Sequence, residues 1–388
     1  MSIFAYTSIT LNYLPKARTL FSTLGRQHPE WTRVLVLVEK EMPGVREALL
    51  ALPEIDEVLT FEDLDIHAED GSPLDAGAKD RWMFRHDVIE ACTAVKGSAL
   101  TKLLRRQGCE AVFYLDPDMV VLDRLDKLTA YLASGHSALL TPHTCEPESD
   151  MSSVMDNEIG PLRWGIFNLG FLGVANSTGG MRFAEWWKSR IELHCYNETV
   201  NGAFTDQSWC DLAPVFFDDV KIVKDPEFNV ATWNLTNRKV TGQLDNLTVN
   251  DVARLAIFHF SGHDRGLQLI MLQKYGSDMP GLFELRDWYI GYCEDHKVAS
   301  FQDHPWTYGC FDDGKAIPGA LRMLYRHRKD LWEAFPRPFA SAKGSLSQWY
   351  ESKGRIETIM HPEKMHKHKP MRILFRSYMH LKRRLPFI

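Results

Sequence analysis

The chain has 388 residues, 45% of them apolar and 25% charged, a balance that excludes a disordered chain and suits one large or two ordinary folded domains. No run reaches the ~18–20 uninterrupted apolar residues of a membrane-spanning helix. The start, Met1-Ser2-Ile3-Phe4-Ala5-Tyr6-Thr7, lacks the basic and apolar blocks of a secretion signal, so a cytoplasmic location is expected. Net charge is −6, yet eight Lys and Arg face only Glu363 between Pro362 and Ile388. The rest of the chain is therefore acidic, which argues against nucleic acid as a partner. The seven cysteines form no Cys-x-x-Cys pair, so neither a disulfide framework nor a structural zinc site is expected.

In chain order, Ile3–Thr7 reads as a short strand. Tyr13, Ala17, Leu20, Phe21 and Leu24 follow at helical spacing, and Val34–Val38 is a continuous apolar run typical of a strand covered on both faces. Strand, helix, strand at this length predicts a βαβ unit and a parallel sheet. A helical pattern over 87–106 precedes Ala111-Val112-Phe113-Tyr114-Leu115, a second buried strand. Shorter strands are expected at 138–141, 166–174 and 255–260, with a helix over 182–196 carrying paired tryptophans. Proline and glycine thicken around 278–281, which predicts a catalytic domain over 1–275, an accessory region over 276–350 and a basic tail over 351–388. In the tail, Met371, Leu374, Phe375, Tyr378 and Leu381 recur every three or four residues among basic side chains, a pattern suited to an anionic membrane surface.

The chemistry is expected at Asp116-Pro117-Asp118, where the second buried strand ends. Ligands of open α/β sheets gather at the carboxyl ends of strands. Side chains two apart in an extended segment point the same way, so the two carboxylates can share a hard cation such as Mn²⁺ or Mg²⁺. A competing triplet, Asp63-Leu64-Asp65, lacks a comparable five-residue strand before it. Downstream, the apolar run Leu255–Phe260 carries His259, a candidate third ligand. The Ser261-Gly262 turn lets backbone approach a phosphate, and Arg265 can neutralise a departing diphosphate. Phe167-Asn168 offers an amide to sugar hydroxyls, and Thr205-Asp206-Gln207 places a carboxylate and an amide side by side.

This order of motifs resembles the family 8 glycosyltransferases, which include glycogenin and bacterial galactosyltransferases. The similarity is greatest to a bacterial group found with polysaccharide genes, which the chain also resembles at Asn12-Tyr13-Leu14 and over Phe228–Leu235. The resemblance spans roughly residues 1–270, with Phe311–Gly314 and Arg322 similar to that group's C-terminal extension. It implies a GT-A (Rossmann-like, nucleotide-diphospho-sugar transferase) fold of class α/β, with a mostly parallel central sheet and a smaller C-terminal helical extension. It also implies Mn²⁺, a UDP-sugar donor, a glycan or lipid-linked acceptor and retention of anomeric configuration. Carried over by position, Asp116, Asp118 and His259 become metal ligands, and Asn168, Gln207 and Asp206 lie at the donor sugar. Lys96 and Arg265 lie near the diphosphate with Gly262, and Thr7, Ser8 and Asn12 near the base. The chain departs from the family in having Gly266-Leu267 after Arg265 and Leu169 after Asn168. Other readings stay open: an inverting enzyme with Asp206 or Asp211 as base, a nucleotidyltransferase or nucleotide-sugar hydrolase, or a non-catalytic sugar-binding module.

Overall fold

A computed structural model of the chain describes residues 2–199 and 203–354. Seven strands carry the architecture that matters here: β1 (Ser2–Ile9), β2 (Thr32–Leu37), β3 (Glu57–Thr60), β4 (Cys109–Leu115), β5 (Met119–Val121), β6 (Ala138–Pro142) and β7 (Phe167–Ala175). The central sheet runs in the order Val220–Ile222, β6, β7, β4, β1, β2, β3. Every neighbouring pair is parallel except those made by β7, which lies antiparallel to both β4 and β6. The fold is therefore α/β with a mostly parallel sheet, as expected. Two of the apolar runs that suggested it, Val34–Val38 and Ala111–Leu115, are buried throughout.

Helix α1 (Leu14–Gln27) starts with Pro15 in its first turn and buries Leu14, Ala17, Leu20, Phe21 and Leu24 against the sheet's core. Tyr13, expected to lead that face, instead stands exposed in the preceding 3₁₀ turn. The helical pattern over 87–106 breaks at Val95 into Val88–Ala94 and Lys96–Leu104. The Lys96–Leu104 helix lies close against the helix Thr178–Leu193, because Gly97 has no side chain to hold them apart. A Cβ there would stand 2.6 Å from Lys188 Cα.

A two-stranded ribbon sits beside the sheet. β5 pairs antiparallel with Ile257–His259, in the register Ile257 to Val121, Phe258 to Val120 and His259 to Met119. Its two faces enter different cores. Met119, Val121 and Ile257 pack with the central sheet, while Val120 and Phe258 join Leu272, Leu282, Leu285 and Tyr289.

The chain divides into two compact units, and not at the expected boundaries. One unit comprises the described chain to Asp65 with Cys92–His304; the other comprises Ile66–Ala91 with residues 305–354. Residues 276–304 stay with the first unit because the helix Pro280–Asp295 completes its core. Tyr289 stacks on Phe260 at 3.8 Å, Tyr292 bonds Ser22 at 2.7 Å, and Arg18 donates to the His296 carbonyl at 2.8 Å. In the second unit, Arg322 donates to the carbonyls of Phe84 (3.1 Å) and His86 (3.0 Å), and Phe84 packs on Tyr325 and Phe339. An early segment thus folds with a late one, which a linear reading of composition does not reveal. The expected basic tail over 351–388 lies outside the described residues from 355 onward. Among the described residues no helix is long and apolar enough to cross a membrane.

Gly97→Ala should destabilise the protein by about 1–3 kcal/mol through overpacking, despite the better helix propensity of alanine. Urea unfolding would show this as a lower midpoint with an unchanged slope.

Candidate active site

The site begins where β4 stops. The Asp116 N–H donates to Gly170 O of β7 at 2.7 Å, and the chain then turns, the Met119 N–H donating to Asp116 O at 3.1 Å. The carboxylates of Asp116 and Asp118 therefore converge across a turn, not along an extended strand as the spacing suggested. The ribbon supplies the third member. Phe260 N–H donates to Asp118 O at 2.8 Å, and the register places His259 opposite Met119. His259 Nε2 lies 3.0 Å from Asp118 Oδ1 and 3.9 Å from Asp116 Oδ2. One ligand atom from each of the three residues falls within 4.8 Å of the others.

Two carboxylate oxygens and an imidazole nitrogen in one cluster form a donor set suited to a divalent cation of the Mn²⁺ or Mg²⁺ type. The surroundings fit that use. Gly170 leaves room beside the imidazole, since a Cβ there would stand 2.7 Å from His259 Cε1 and 2.8 Å from Met119 Cε. Trp233 packs edge-on against the His259 ring at 5.4 Å and fixes its plane. Burial lowers the His259 pKa, but the Asp118 and Asp116 carboxylates outweigh it and the net direction is up. Burial likewise raises Asp118, and its contact with His259 more than reverses this, leaving it below the usual carboxylate range.

Beneath the cluster lies a buried cation. Lys96 Nζ donates to Asp206 Oδ2 at 3.0 Å, Leu169 O at 3.1 Å and Asp116 Oδ1 at 3.5 Å, and stands 4.1 Å from the centre of the Tyr114 ring. Tyr114 donates its hydroxyl to Asp116 Oδ1 at 2.6 Å, and Tyr6 donates to Lys96 O at 2.8 Å. Burial opposes the ammonium charge, yet Asp116 and Asp206 push the Lys96 pKa up. Asp206 is itself buried, and desolvation raises its pKa against the pull of Lys96.

The amide of Gln207 is engaged at both ends. Its Oε1 accepts from Leu169 N–H at 3.1 Å and its Nε2 donates to Trp164 O at 3.0 Å. Gly165, at φ 116°, passes close to this side chain. Asp211 accepts from Ile166 N–H at 2.7 Å and so pins the approach to β7. Asn168 is buried on β7, with its Oδ1 lacking any hydrogen-bond partner.

The remaining expected residues sit further out. Thr7 is buried in β1 with its hydroxyl unpartnered, and Ser8 donates its hydroxyl to Cys92 O at 2.6 Å. Asn12 is exposed in the 3₁₀ turn Leu11–Tyr13. Gly262 and Gly266, at φ 77° and 71°, bracket the short turn His263–Arg265, in which Arg265 is exposed. None of Thr7, Asn12, Gly262 or Arg265 makes a hydrogen bond or ion pair with the three clustered residues. Asp264 of that turn is tied to α1 by Lys16 and to the 3₁₀ turn before it by Tyr13, the latter at 3.2 Å.

The competing triplet is structural. Asp63 accepts from Thr60 N–H at 2.8 Å and pairs with Arg46 at 2.7 Å, closing a helical turn. Sequence reading missed His143, which lies 3.5 Å from Asn168, along with Lys16, and assigned Tyr114 and Gly170 no role of their own within the motifs that contain them. His143 stands just past the end of β6, a position that the strand-end rule would have flagged.

No family model matches the chain. The uncharacterized protein YfnF of Bacillus subtilis is 29% identical over 99 residues, 26% of this chain and 33% of that protein, so the match spans about a third of that relative's length. Among solved structures, the galactosyltransferase LgtC in complex with donor and acceptor sugar analogues is similar at 18% identity and a TM-score of 0.40, over 68% of this chain and 87% of that one. Mouse xyloside xylosyltransferase 1 is similar at 14% identity and 0.36, over 68% and 98%. The glycosyltransferase GlyE of Streptococcus pneumoniae is similar at 16% identity and 0.35, over 60% and 47%. At such scores these likenesses do not bear on the chemistry of this chain.

Lys96→Met should destabilise the protein by about 3–5 kcal/mol at neutral pH, because it strands the Asp206 carboxylate in a buried position. The deficit should be full above the folded-state pKa that Asp206 takes in the variant, and shrink as pH falls through it toward the already raised wild-type one, below which Asp206 binds its proton in both folded proteins. Denaturant unfolding of variant and wild type at several pH values measures both.

Proposed function

We propose that the chain is a metal-dependent glycosyltransferase of GT-A type. It would transfer a sugar from a nucleotide diphosphate donor, UDP-hexose favoured, to a glycan or lipid-linked acceptor with retention of configuration. The observation that carries this reading is the convergence of Asp116, Asp118 and His259 at the carboxyl end of β4, with Asn168, Asp206 and Gln207 gathered around the adjoining strand β7.

In this reading Asp116, Asp118 and His259 hold Mn²⁺ or Mg²⁺, which when bound supplies charge neutralisation for the leaving diphosphate. Asn168 offers its free carbonyl oxygen to a sugar hydroxyl. Gln207, fixed by Leu169 and Trp164, aims an immobile amide dipole at the charge that develops on the sugar ring. Lys96 acts from below, holding Asp116 and Asp206 in position, not by reaching outward to a phosphate. The exposed Arg265, with Gly262, faces the diphosphate, while Thr7, Ser8 and Asn12 line the approach of the base. The partners of the two candidate bases favour retention over inversion: Asp206 is spent on Lys96 and Asp211 on Ile166 N–H. The basic pattern of the C-terminal residues suits peripheral attachment to the anionic cytoplasmic face of a membrane, where lipid-linked acceptors reside.

A panel of nucleotide sugars assayed with and without Mn²⁺ for release of nucleoside diphosphate tests the reading. Turnover should require metal, and Asp118→Asn should lower it by about 10²–10³-fold while leaving the fold intact. Release that needs no acceptor and yields free sugar would favour a hydrolase instead. Metal-independent sugar binding that survives Asp118→Asn would favour a binding module.

A further inference from the structure

His143 enters the site without having been part of any site motif. Its Nδ1 lies 3.1 Å from Ile166 O. A carbonyl oxygen only accepts, so Nδ1 carries the proton. Burial holds the ring's pKa down to about 4, with His259 adding to this and the Ile166 bond only partly offsetting it, so the ring is neutral and Nε2 is a bare lone pair. Asn168 Nδ2 lies 3.5 Å from that Nε2. A lone pair is satisfied by the N–H of the amide and not by its oxygen, which fixes the flip of the Asn168 side chain.

The consequence falls on the other end of the amide. Asn168 Oδ1 is buried and has no partner, and it stands 2.9 Å from the point that a Gly170 Cβ would occupy. His259 Cε1 is 2.7 Å from the same point, so the free oxygen and the imidazole of the ligand cluster border the same small space over Gly170. Trp233 packs on both rings, 5.5 Å from His143 and 5.4 Å from His259, and Asn234 Nδ2 donates to His143 O at 3.1 Å.

We propose that His143, as its Nδ1–H tautomer, is a positioning residue that locks the Asn168 amide with its carbonyl oxygen turned toward the Asp116–Asp118–His259 cluster. That oxygen is thereby set to accept a hydrogen bond from a sugar hydroxyl beside the cluster. The hydroxyl partner rests on the glycosyl-transfer reading; the tautomer and the amide flip do not.

Long-range ¹⁵N–¹H spectra of the full chain test the lock directly, with the His143 signals assigned by their loss in His143→Gln. The expected result at neutral pH is a proton on Nδ1 and none on Nε2; a proton on Nε2 overturns the proposal. Asn168→Asp supplies an isosteric partner that can only accept, so the His143 midpoint should rise from about 4 to near or above neutrality. An unshifted midpoint in that folded variant overturns the proposal as well. In turnover assays, His143→Phe should raise the donor KM by about 5–10-fold, the value of one lost hydrogen bond, with a smaller change in kcat. His143→Gln, whose amide oxygen still accepts, should restore much of the difference, and an unchanged KM in His143→Phe contradicts the positioning role. A wild-type chain that turns over no nucleotide sugar refutes the glycosyl-transfer reading and leaves the spectroscopic result to decide the lock.

Discussion

The site depends on a three-residue strand pairing. β5 and Ile257–His259 bring Asp118 and His259 together across 141 positions of sequence, and their register decides which side chain meets the carboxylates. That register is held by packing. Alternate residues of the ribbon enter two different apolar cores, so a slip by one position would send Val120 and Phe258 to the wrong face. The same slip would remove His259 from the cluster. Hydrophobic patterning of these short strands thus fixes the geometry of a polar site, and the Phe260–Tyr289 stack extends that control to the helix Pro280–Asp295.

Charge is the second constraint. Asp116, Asp118 and Asp206 crowd one end of the sheet, and like charges at such range repel strongly where water is scarce. Lys96 answers two of them from inside the protein, and the imidazole of His259 answers the third. Lys96 is also anchored through its own carbonyl by Tyr6 of β1, so the cation is built into the sheet rather than carried on a mobile loop. An upper face able to take a cation therefore rests on a lower layer already neutralised.

The sequence made the sheet legible because its strands are continuous apolar runs, and Asp116 and Asp118 because they end one of them. Asp63 of the competing triplet closes a turn with Arg46. What sequence could not show was long-range. Asp116 and Asp118 converge through a turn and a ribbon, not through strand periodicity. Lys96 was expected near a phosphate, and only the fold reveals that Asp206 and Leu169 O hold it inward. The units do not divide at the expected 275, because Ile66–Ala91 folds with residues 305–354, a pairing with no compositional signature. His143 stayed hidden because a single histidine after a strand has no spacing partner; its meaning lies in Asn168, 25 positions away.

The central claim is that Asp116, Asp118 and His259 act together as one metal centre. Anomalous diffraction from crystals grown with Mn²⁺ and a nucleoside diphosphate tests it most directly. The account predicts a single strong peak bounded by the two carboxylates and His259 Nε2, and its loss in His259→Gln. A Mn²⁺ peak elsewhere on the molecule, or one that persists in that variant with unchanged height, would contradict it.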